Sequence, residues 1–204
     1  MPRPSFRLRV ATPRDMPVLR ALMNRAIAEL LRPYLPPDAV SASFEIMGID
    51  TQLVADGTYV VAERDGVILG CGGWSRRATM FGGDHTAGRD AALLDPAREP
   101  ARVRAMYTHP EHTRKGVGRA ILGACEAAAR AEGFGHAELV ATLAGEPLYR
   151  AAGYEVLESF EVPTSTGVPV PVRRMGKALF APGAHDGRAF GRGAAARRDR
   201  PSSP

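Results

Sequence analysis

The sequence is poor in the residue types that define several classes of protein. It has two cysteines, Cys71 and Cys125, in 204 residues, which is too few for a disulfide framework. The five histidines and two cysteines show no spacing typical of zinc ligands, so we expect no metal site. Both cysteines are expected to be buried free thiols.

Long apolar runs are also lacking. No run approaches the roughly 18 residues that a membrane-spanning helix needs. The first ten residues, MPRPSFRLRV, lack the apolar segment of a secretory signal. From these two observations we expect a cytoplasmic protein that does not associate with membranes.

Charge of both signs is present but unevenly placed. The formal net charge is +5, and the segment from Pro182 onward holds five arginines and two aspartates. This segment therefore carries most of the positive charge, and the rest of the chain is only mildly basic. A basic surface can bind nucleic acid, but this distribution does not favour nucleic acid as the main partner. We expect a folded domain at residues 1–181 and a disordered basic tail at 182–204.

The order of periodic segments predicts one domain of the α/β class (mixed α+β). Strands are predicted near residues 6–10, 58–63, 67–74, 103–108, 136–142, 156–162 and 168–177, and helices near 14–31, 38–46, 117–132 and 146–152. Thr12 and Pro13 are typical of the N-cap and first position of the first helix. Residues 75–100 lack periodicity, which is typical of a functional loop. Such an order favours a mixed sheet with helices on both faces.

One turn between a strand and a helix has the composition of an anion site. It contains Arg114, Lys115 and Arg119 together with Gly116 and Gly118. The first amide groups of a helix have no intrahelical partner, and the helix dipole adds positive potential there. Glycines allow the main chain to approach a ligand closely, so this turn is suited to bind a phosphate or pyrophosphate.

Other phosphate motifs do not fit this turn. The spacing of a P-loop is absent, and a dinucleotide-binding turn needs a glycine where Ile121 stands. The His109–Glu111 pair is similar to the H-x-E of zinc deaminases, but the matching Pro-Cys-x-x-Cys is missing. On the residues alone, a glycine-containing loop with solvated basic side chains remains the alternative.

The stretch TRKGVG, followed by RAIL, resembles the coenzyme A pyrophosphate loop of GNAT acetyltransferases, and the resemblance covers residues 6–178. It implies a central mixed, mostly antiparallel sheet of six to seven strands flanked by about four helices. It also implies acetyl-CoA as co-substrate, bound without a metal. The cofactor-binding residues that it implies are Met106, Tyr107, Thr108, Arg114, Lys115, Gly116, Val117, Gly118 and Arg119. Thr113 departs from the family pattern, which has Gln or Arg there, but that contact is mostly made by the main chain.

A second segment, LYRAAGY at 148–154, resembles the family segment whose tyrosine protonates the departing thiolate. Tyr149 is the matching residue. A free tyrosine has a pKa of about 10 and a thiol about 8.5, so full proton transfer is uphill by about 2 kcal/mol. Tyr149 is therefore either made more acidic by its site or acts mainly as a hydrogen-bond donor. A packed aromatic residue of the core is the structural alternative.

The resemblance implies an N-acetyltransferase in which the primary amine of a small molecule or peptide attacks acetyl-CoA directly in a ternary complex. The segment 102–109 contains no carboxylate to act as general base. The candidates elsewhere are Glu45, Asp84, His85 and Glu146, and a chain of water molecules is an equal alternative. A non-catalytic acetyl-CoA sensor stays open because the family's Asn before the short helix is missing from 142–145. The acceptor and the oligomeric state, a homodimer included, are not determined by the sequence.

Overall fold

The computed structural model describes residues 6–86 and 88–180. The expected tail at 182–204 lies outside them. Among the described residues, no helix has both the length and the apolar character needed to cross a membrane. The strands are β1 Arg7–Val10, β2 Tyr59–Arg64, β3 Val67–Ser75, β4 Ala101–Thr108, β5 His136–Thr142, β6 Glu155–Val162 and β7 Val170–Ala178. The helices are α1 Met16–Leu30, α2 Pro37–Ile46, α3 Thr51–Ala55, α4 Val117–Ala131 and α5 Glu146–Ala151.

These strands form one seven-stranded sheet in the order β1-β2-β3-β4-β5-β7-β6. Neighbouring strands are antiparallel except β4 and β5, which are parallel. A mixed α/β fold with a mostly antiparallel sheet of six to seven strands is therefore confirmed.

The sheet separates two apolar clusters because successive side chains of a strand point to opposite faces. On β2, Ala62 belongs to the cluster that contains Ile121 and Cys125 of α4. Its neighbour Val61 belongs to the other cluster, with Leu19 and Ile27 of α1. Helices therefore cover both faces, as the element order predicts. The two cysteines are free and buried, and burial raises the pKa of each thiol to about 12.

Two local predictions at the N-terminal side are corrected by the structure. Thr12 and Pro13 open a 3₁₀ turn, Pro13–Asp15, and α1 begins only at Met16. The Thr12 amide donates to the Asp15 carboxylate (2.7 Å), which stabilises this tight turn in place of a first α-helical turn. The short helix α3 has no counterpart in the prediction, since one turn of helix is too short to show a 3.6-residue periodicity.

The segment between β3 and β4 is held by main-chain pairing, although none of its described residues belongs to the helices and strands given above. The Ala78 amide donates to the Ala92 carbonyl (2.9 Å), and the Leu94 amide donates to the Arg76 carbonyl (2.8 Å). Antiparallel pairs of this kind bring residues 76–79 beside residues 90–94. This irregular hairpin holds its tip, near Phe81, close to the end of α2.

Candidate functional site

The sheet opens between its two parallel strands. β4 and β5 are paired only at Ala101 with Ala137 and at Arg102 with Glu138. Ala105 then has a positive φ of 51°, and the β3–β4 register shifts at the same level. A bulge of this kind bends a strand away from its ladder. The Tyr59 hydroxyl group donates to the Ala105 carbonyl (2.9 Å) and so fixes the bulge from the opposite side.

A cavity of about 100 Å³ lies at this opening. Met106 and Tyr107 of β4, Val140 and Thr142 of β5, and Tyr149 of α5 contribute to its walls. The carboxyl ends of two parallel strands and the first turns of α5 therefore enclose one small space, which is where ligands bind in many α/β sheets.

The turn before α4 has the backbone conformation of an anion site. Arg114 (φ 60°) and Gly116 (φ 82°) are left-handed, and Gly116 is the N-cap of the helix. Left-handed residues that alternate with right-handed ones make successive amide groups converge. The first main-chain donor within α4 is the Ala120 amide, which donates to the Gly116 carbonyl (3.0 Å). The amides of Val117, Gly118 and Arg119 come before it and have no helical acceptor.

Gly118 brings this turn against both β4 and α5. A Cβ atom added there would lie 3.1 Å from Leu148 Cδ2 and 3.4 Å from Thr108 Oγ1. The structure therefore brings together the three groups of residues that the sequence nominates: the end of β4, the turn at 114–119 and the segment around Tyr149.

The basic side chains of this turn differ in their surroundings. Lys115 Nζ donates to the Glu111 carbonyl (2.8 Å). Arg119 Nη2 is 3.4 Å from the Ala151 carbonyl at the end of α5. The Arg114 side chain is exposed. Because two of the three cations already contact main-chain carbonyls, the amide groups form the better-defined part of the anion site.

Tyr149 is buried and lines the cavity. Its ring packs edge-on against Tyr154, with 5.9 Å between the ring centroids. Its hydroxyl group makes no hydrogen bond to the residues that the structure describes. Burial, with a contribution from Cys125, raises the pKa of Tyr149 well above its ordinary value. Burial therefore opposes ionisation of Tyr149, which favours the role of hydrogen-bond donor over that of a more acidic tyrosine.

The four candidate bases contact other protein groups. The Glu45 carboxylate accepts from the Ser165 amide (2.7 Å), and Asp84 pairs with Arg89 (3.0 Å). His85 Nε2 lies 3.0 Å and 3.1 Å from two carbonyl oxygens at the end of α2. Glu146 pairs with Arg150 (2.7 Å). None of the four belongs to the described residues that line the cavity.

The sequence analysis missed a buried ion pair at the cavity wall. Nη1 of Arg104 in β4 lies 2.5 Å from Oδ2 of Asp50, the N-cap of α3. Both side chains are almost inaccessible to solvent. Arg104 Nη2 also donates to the Gly82 carbonyl (2.8 Å), and Asp50 pairs with Arg89 as well (2.6 Å). Burial lowers the pKa of Arg104 and the charge of Asp50 opposes this; an arginine stays charged in either case. The signal in the sequence that could have indicated this contact is a charged residue, Arg104, placed between Val103 and Ala105 in an apolar strand.

Comparison with known protein families gives separate evidence about this site. The model of the acetyltransferase (GNAT) domain matches residues 55–156, a range that contains β4, the turn at 114–119 and Tyr149. The chain therefore belongs to the GNAT acetyltransferase family. No curated protein matches the chain in sequence.

Solved structures share the fold at low identity. A GCN5-related N-acetyltransferase from Rhodopseudomonas palustris superimposes with a TM-score of 0.62 at 19% identity, covering 85% of this chain and 95% of its own. The YncA protein from Salmonella typhimurium, solved with its cofactor acetyl-CoA, gives a TM-score of 0.58 at 19% identity, with 89% of this chain and 98% of its own covered. The PaiA N-acetyltransferase of Thermoplasma acidophilum, in complex with coenzyme A, gives 0.55 at 13% identity, with 85% and 98% covered.

Proposed function

We propose that the protein transfers the acetyl group of acetyl-CoA to the primary amine of an acceptor, by direct attack in a ternary complex. One observation carries the proposal: an open strand pair, a turn with unpaired amide groups and a buried tyrosine hydroxyl group meet at a single cavity. An acyltransferase that uses a CoA thioester needs these three parts, because it must hold a long pantetheine arm, a diphosphate and a departing thiolate.

The co-substrate would be bound chiefly by the main chain. Beyond Arg102, β4 has no ladder partner on the β5 side, so the backbone of Met106, Tyr107 and Thr108 is available to the amide groups of pantetheine. The diphosphate would be bound at residues 114–119, where converging amides and the dipole of α4 favour negative charge. The exposed Arg114 adds a full positive charge at the mouth of the site.

In the reaction, the amine nitrogen forms a bond to the thioester carbonyl carbon, and the carbon–sulfur bond then breaks. The acetyl group leaves with the amine as an amide, and the electron pair of the broken bond stays on the CoA sulfur. The Tyr149 hydroxyl group donates a hydrogen bond to that sulfur. Because its pKa is raised by burial, Tyr149 keeps its proton through most of this step, and the thiolate takes its final proton from solvent.

The amine must also lose a proton. The candidate bases contact other protein groups and are not among the described residues that line the cavity: Glu45, Asp84, His85 and Glu146. We therefore propose that water in the open cavity accepts the proton of the amine. An acceptor that binds as the neutral amine then needs no protein base before attack.

The test is a thiol-release assay with the full chain, acetyl-CoA and a panel of amines. The proposal predicts sustained release of CoA above the rate of thioester hydrolysis and one mole of acetylated amine per mole of CoA, seen by mass spectrometry. Binding of acetyl-CoA with no release from any amine would contradict it and would favour the sensor.

A further inference from the structure

The walls of the cavity restrict which amines can enter it. We infer that the acceptor is a weakly basic amine on an apolar body, such as an arylamine, with no second positive charge. This inference rests on the proposed function and specifies the class of its second substrate.

Much of the cavity lining is apolar. It includes Ile46 and Met47 at the end of α2, Met80 and Phe81 of the 75–100 hairpin, and Val172 of β7. Several of these side chains belong to one continuous apolar cluster. An apolar acceptor body would gain free energy by leaving water here, whereas a charged one would be desolvated without a partner.

The charges around the cavity do not favour a cationic acceptor. Among the described lining residues, Arg104 carries the one full charge, and Asp50 neutralises that charge in a buried ion pair. Its partner Asp50 is fully buried and shared with Arg89, so its carboxylate is not available to an ammonium group. Tyr107 and Tyr149, the lining residues that could become negative, have pKa values raised by burial and stay neutral near pH 7.

The carboxylates just outside the lining are also committed. Asp84 pairs with Arg89 (3.0 Å), Glu146 with Arg150 (2.7 Å), and Glu45 accepts from the Ser165 hydroxyl group (2.9 Å). His85 Nε2 contacts two main-chain carbonyls. A diamine or a polyamine would therefore find no free carboxylate for its second charge.

None of the described lining residues is a general base, and this also favours an acceptor whose reacting nitrogen is already neutral. At pH 7 only roughly one in a few thousand lysine-like amines is neutral, and a site without a base must wait for that fraction. An arylamine is already neutral at pH 7 and can attack as it binds. The apolar walls, the lack of a free carboxylate among the described lining residues and the lack of a base there thus select the same kind of acceptor.

The test compares two isomers, p-toluidine and benzylamine, which contain the same atoms but differ greatly in basicity. With the full chain and saturating acetyl-CoA at pH 7, we expect kcat/KM for p-toluidine to be at least about tenfold higher, and putrescine to be the poorest of the three. Between pH 7 and 9 the benzylamine rate should rise by close to tenfold per pH unit, while the p-toluidine rate stays flat.

Two results would overturn the inference, and they are distinguishable. Faster acetylation of benzylamine or putrescine at pH 7 would contradict the acceptor class and leave the proposed function intact. Absence of CoA release with every amine, while calorimetry shows that acetyl-CoA binds, would contradict the proposed function and the inference with it.

A substitution in the apolar wall tests the role of charge directly. Met80 is partly exposed, so Met80→Glu can introduce a carboxylate at the cavity without burying it completely. Met80→Gln has the shape of the glutamate variant without its charge. It gives the reference value for the ratio of kcat/KM between p-toluidine and benzylamine. We expect Met80→Glu to reduce the preference for p-toluidine by at least about tenfold relative to Met80→Gln; an equal ratio in both variants would contradict the charge argument.

Discussion

Tyr149 is held where α5 meets the cavity, and its hydroxyl group lies among buried groups that disfavour ionisation. Tyr149→Phe removes the hydroxyl group and keeps the ring that packs on Tyr154. We expect kcat to fall at least tenfold, while the affinity for acetyl-CoA measured by calorimetry changes little, because the hydroxyl group acts on the sulfur only as the bond breaks. An unchanged kcat would remove Tyr149 from the mechanism.

The direction of the tyrosine pKa makes a further prediction about pH. Since burial raises the pKa of Tyr149 above its ordinary value of about 10, the protonated donor persists through the alkaline range of an ordinary assay. The kcat of the natural chain should therefore not fall between pH 7 and pH 10 through ionisation of Tyr149. Any decrease over this range should also be present in Tyr149→Phe. A fall in that range that is present in the natural chain and absent in the variant would contradict the assignment of the raised pKa.

At this scale the sequence was informative where function leaves a local pattern. Tyr149 and the glycines at 116 and 118 could be nominated from a few neighbouring residues. The contact between Asp50 and Arg104 could not, because it joins residues that are distant in the chain and depends on the register of β4 against the segment around α3. The general base could not be chosen from the sequence for the same reason: residue type marks a group that can ionise, but only the fold shows that Asp84 pairs with Arg89.

Among the elements, β3 owes two of its three glycines, Gly70 and Gly72, to the close approach of β4 and α4. A Cβ atom added at Gly70 would lie 2.7 Å from Val117 Cγ1 and 3.0 Å from the Tyr107 carbonyl oxygen. Both neighbours belong to the elements that form the site, and one of the contacts is to the main chain.

Gly70→Ala should therefore disturb β4 and α4 together. We expect a decrease of about 1–3 kcal/mol in the free energy of unfolding, measured by denaturant titration, and weaker binding of acetyl-CoA. Gly123→Ala is the matched control, since Gly123 lies on the exposed face of α4 and an added Cβ meets nothing within 4 Å. This variant should be more stable by up to about 1 kcal/mol, and the explanation is refuted if both variants change stability in the same direction.

Element boundaries show what periodicity can and cannot provide. The long amphipathic helix α4 and the alternating strand β5 were predicted within a residue or two, since many side chains report the same period. The turn Pro13–Asp15 and helix α3 depend instead on a few local hydrogen bonds, among them those from the Thr12 amide to Asp15 and from the Gln52 amide to Asp50. Short elements of this kind have no period to detect.

Over the whole molecule, the guanidinium group of Arg9 adds side-chain links from the N-terminal strand to the neighbouring strand and to the turn before α1. Arg9 pairs with Glu63 of β2 (2.6 Å) and with Asp15 before α1 (2.8 Å). These hydrogen bonds lower the pKa of Asp15, and hydrogen bonds from Arg7 and Arg9 lower that of Glu63. Because both folded-state pKa values are lowered, their contribution to stability is present above the ordinary carboxyl pKa of about 4 and is lost as the pH falls below it.

Arg9→Gln should consequently flatten the acid limb of the stability curve. Free energies of unfolding measured from pH 7 down to pH 3 should fall less steeply in the variant than in the natural chain. Parallel curves would show that this pairing does not contribute to the pH dependence.

The whole fold was predicted more completely than the site because seven strands and four helices each leave a periodic signal, whereas the opening between β4 and β5 depends on a bulge at Ala105. An alanine at a positive φ has no sequence signature, so the residues themselves do not indicate that the strands separate there. The central claim is that the opening and the adjoining turn bind a CoA thioester.

The most direct measurement is a titration of the 15N-labelled full chain with acetyl-CoA, followed by the amide chemical shifts. The account predicts saturable binding below millimolar concentration, with the largest shift changes at residues 106–108 and 114–119. The absence of binding at millimolar acetyl-CoA, or shift changes confined to residues remote from β4 and the start of α4, would contradict it.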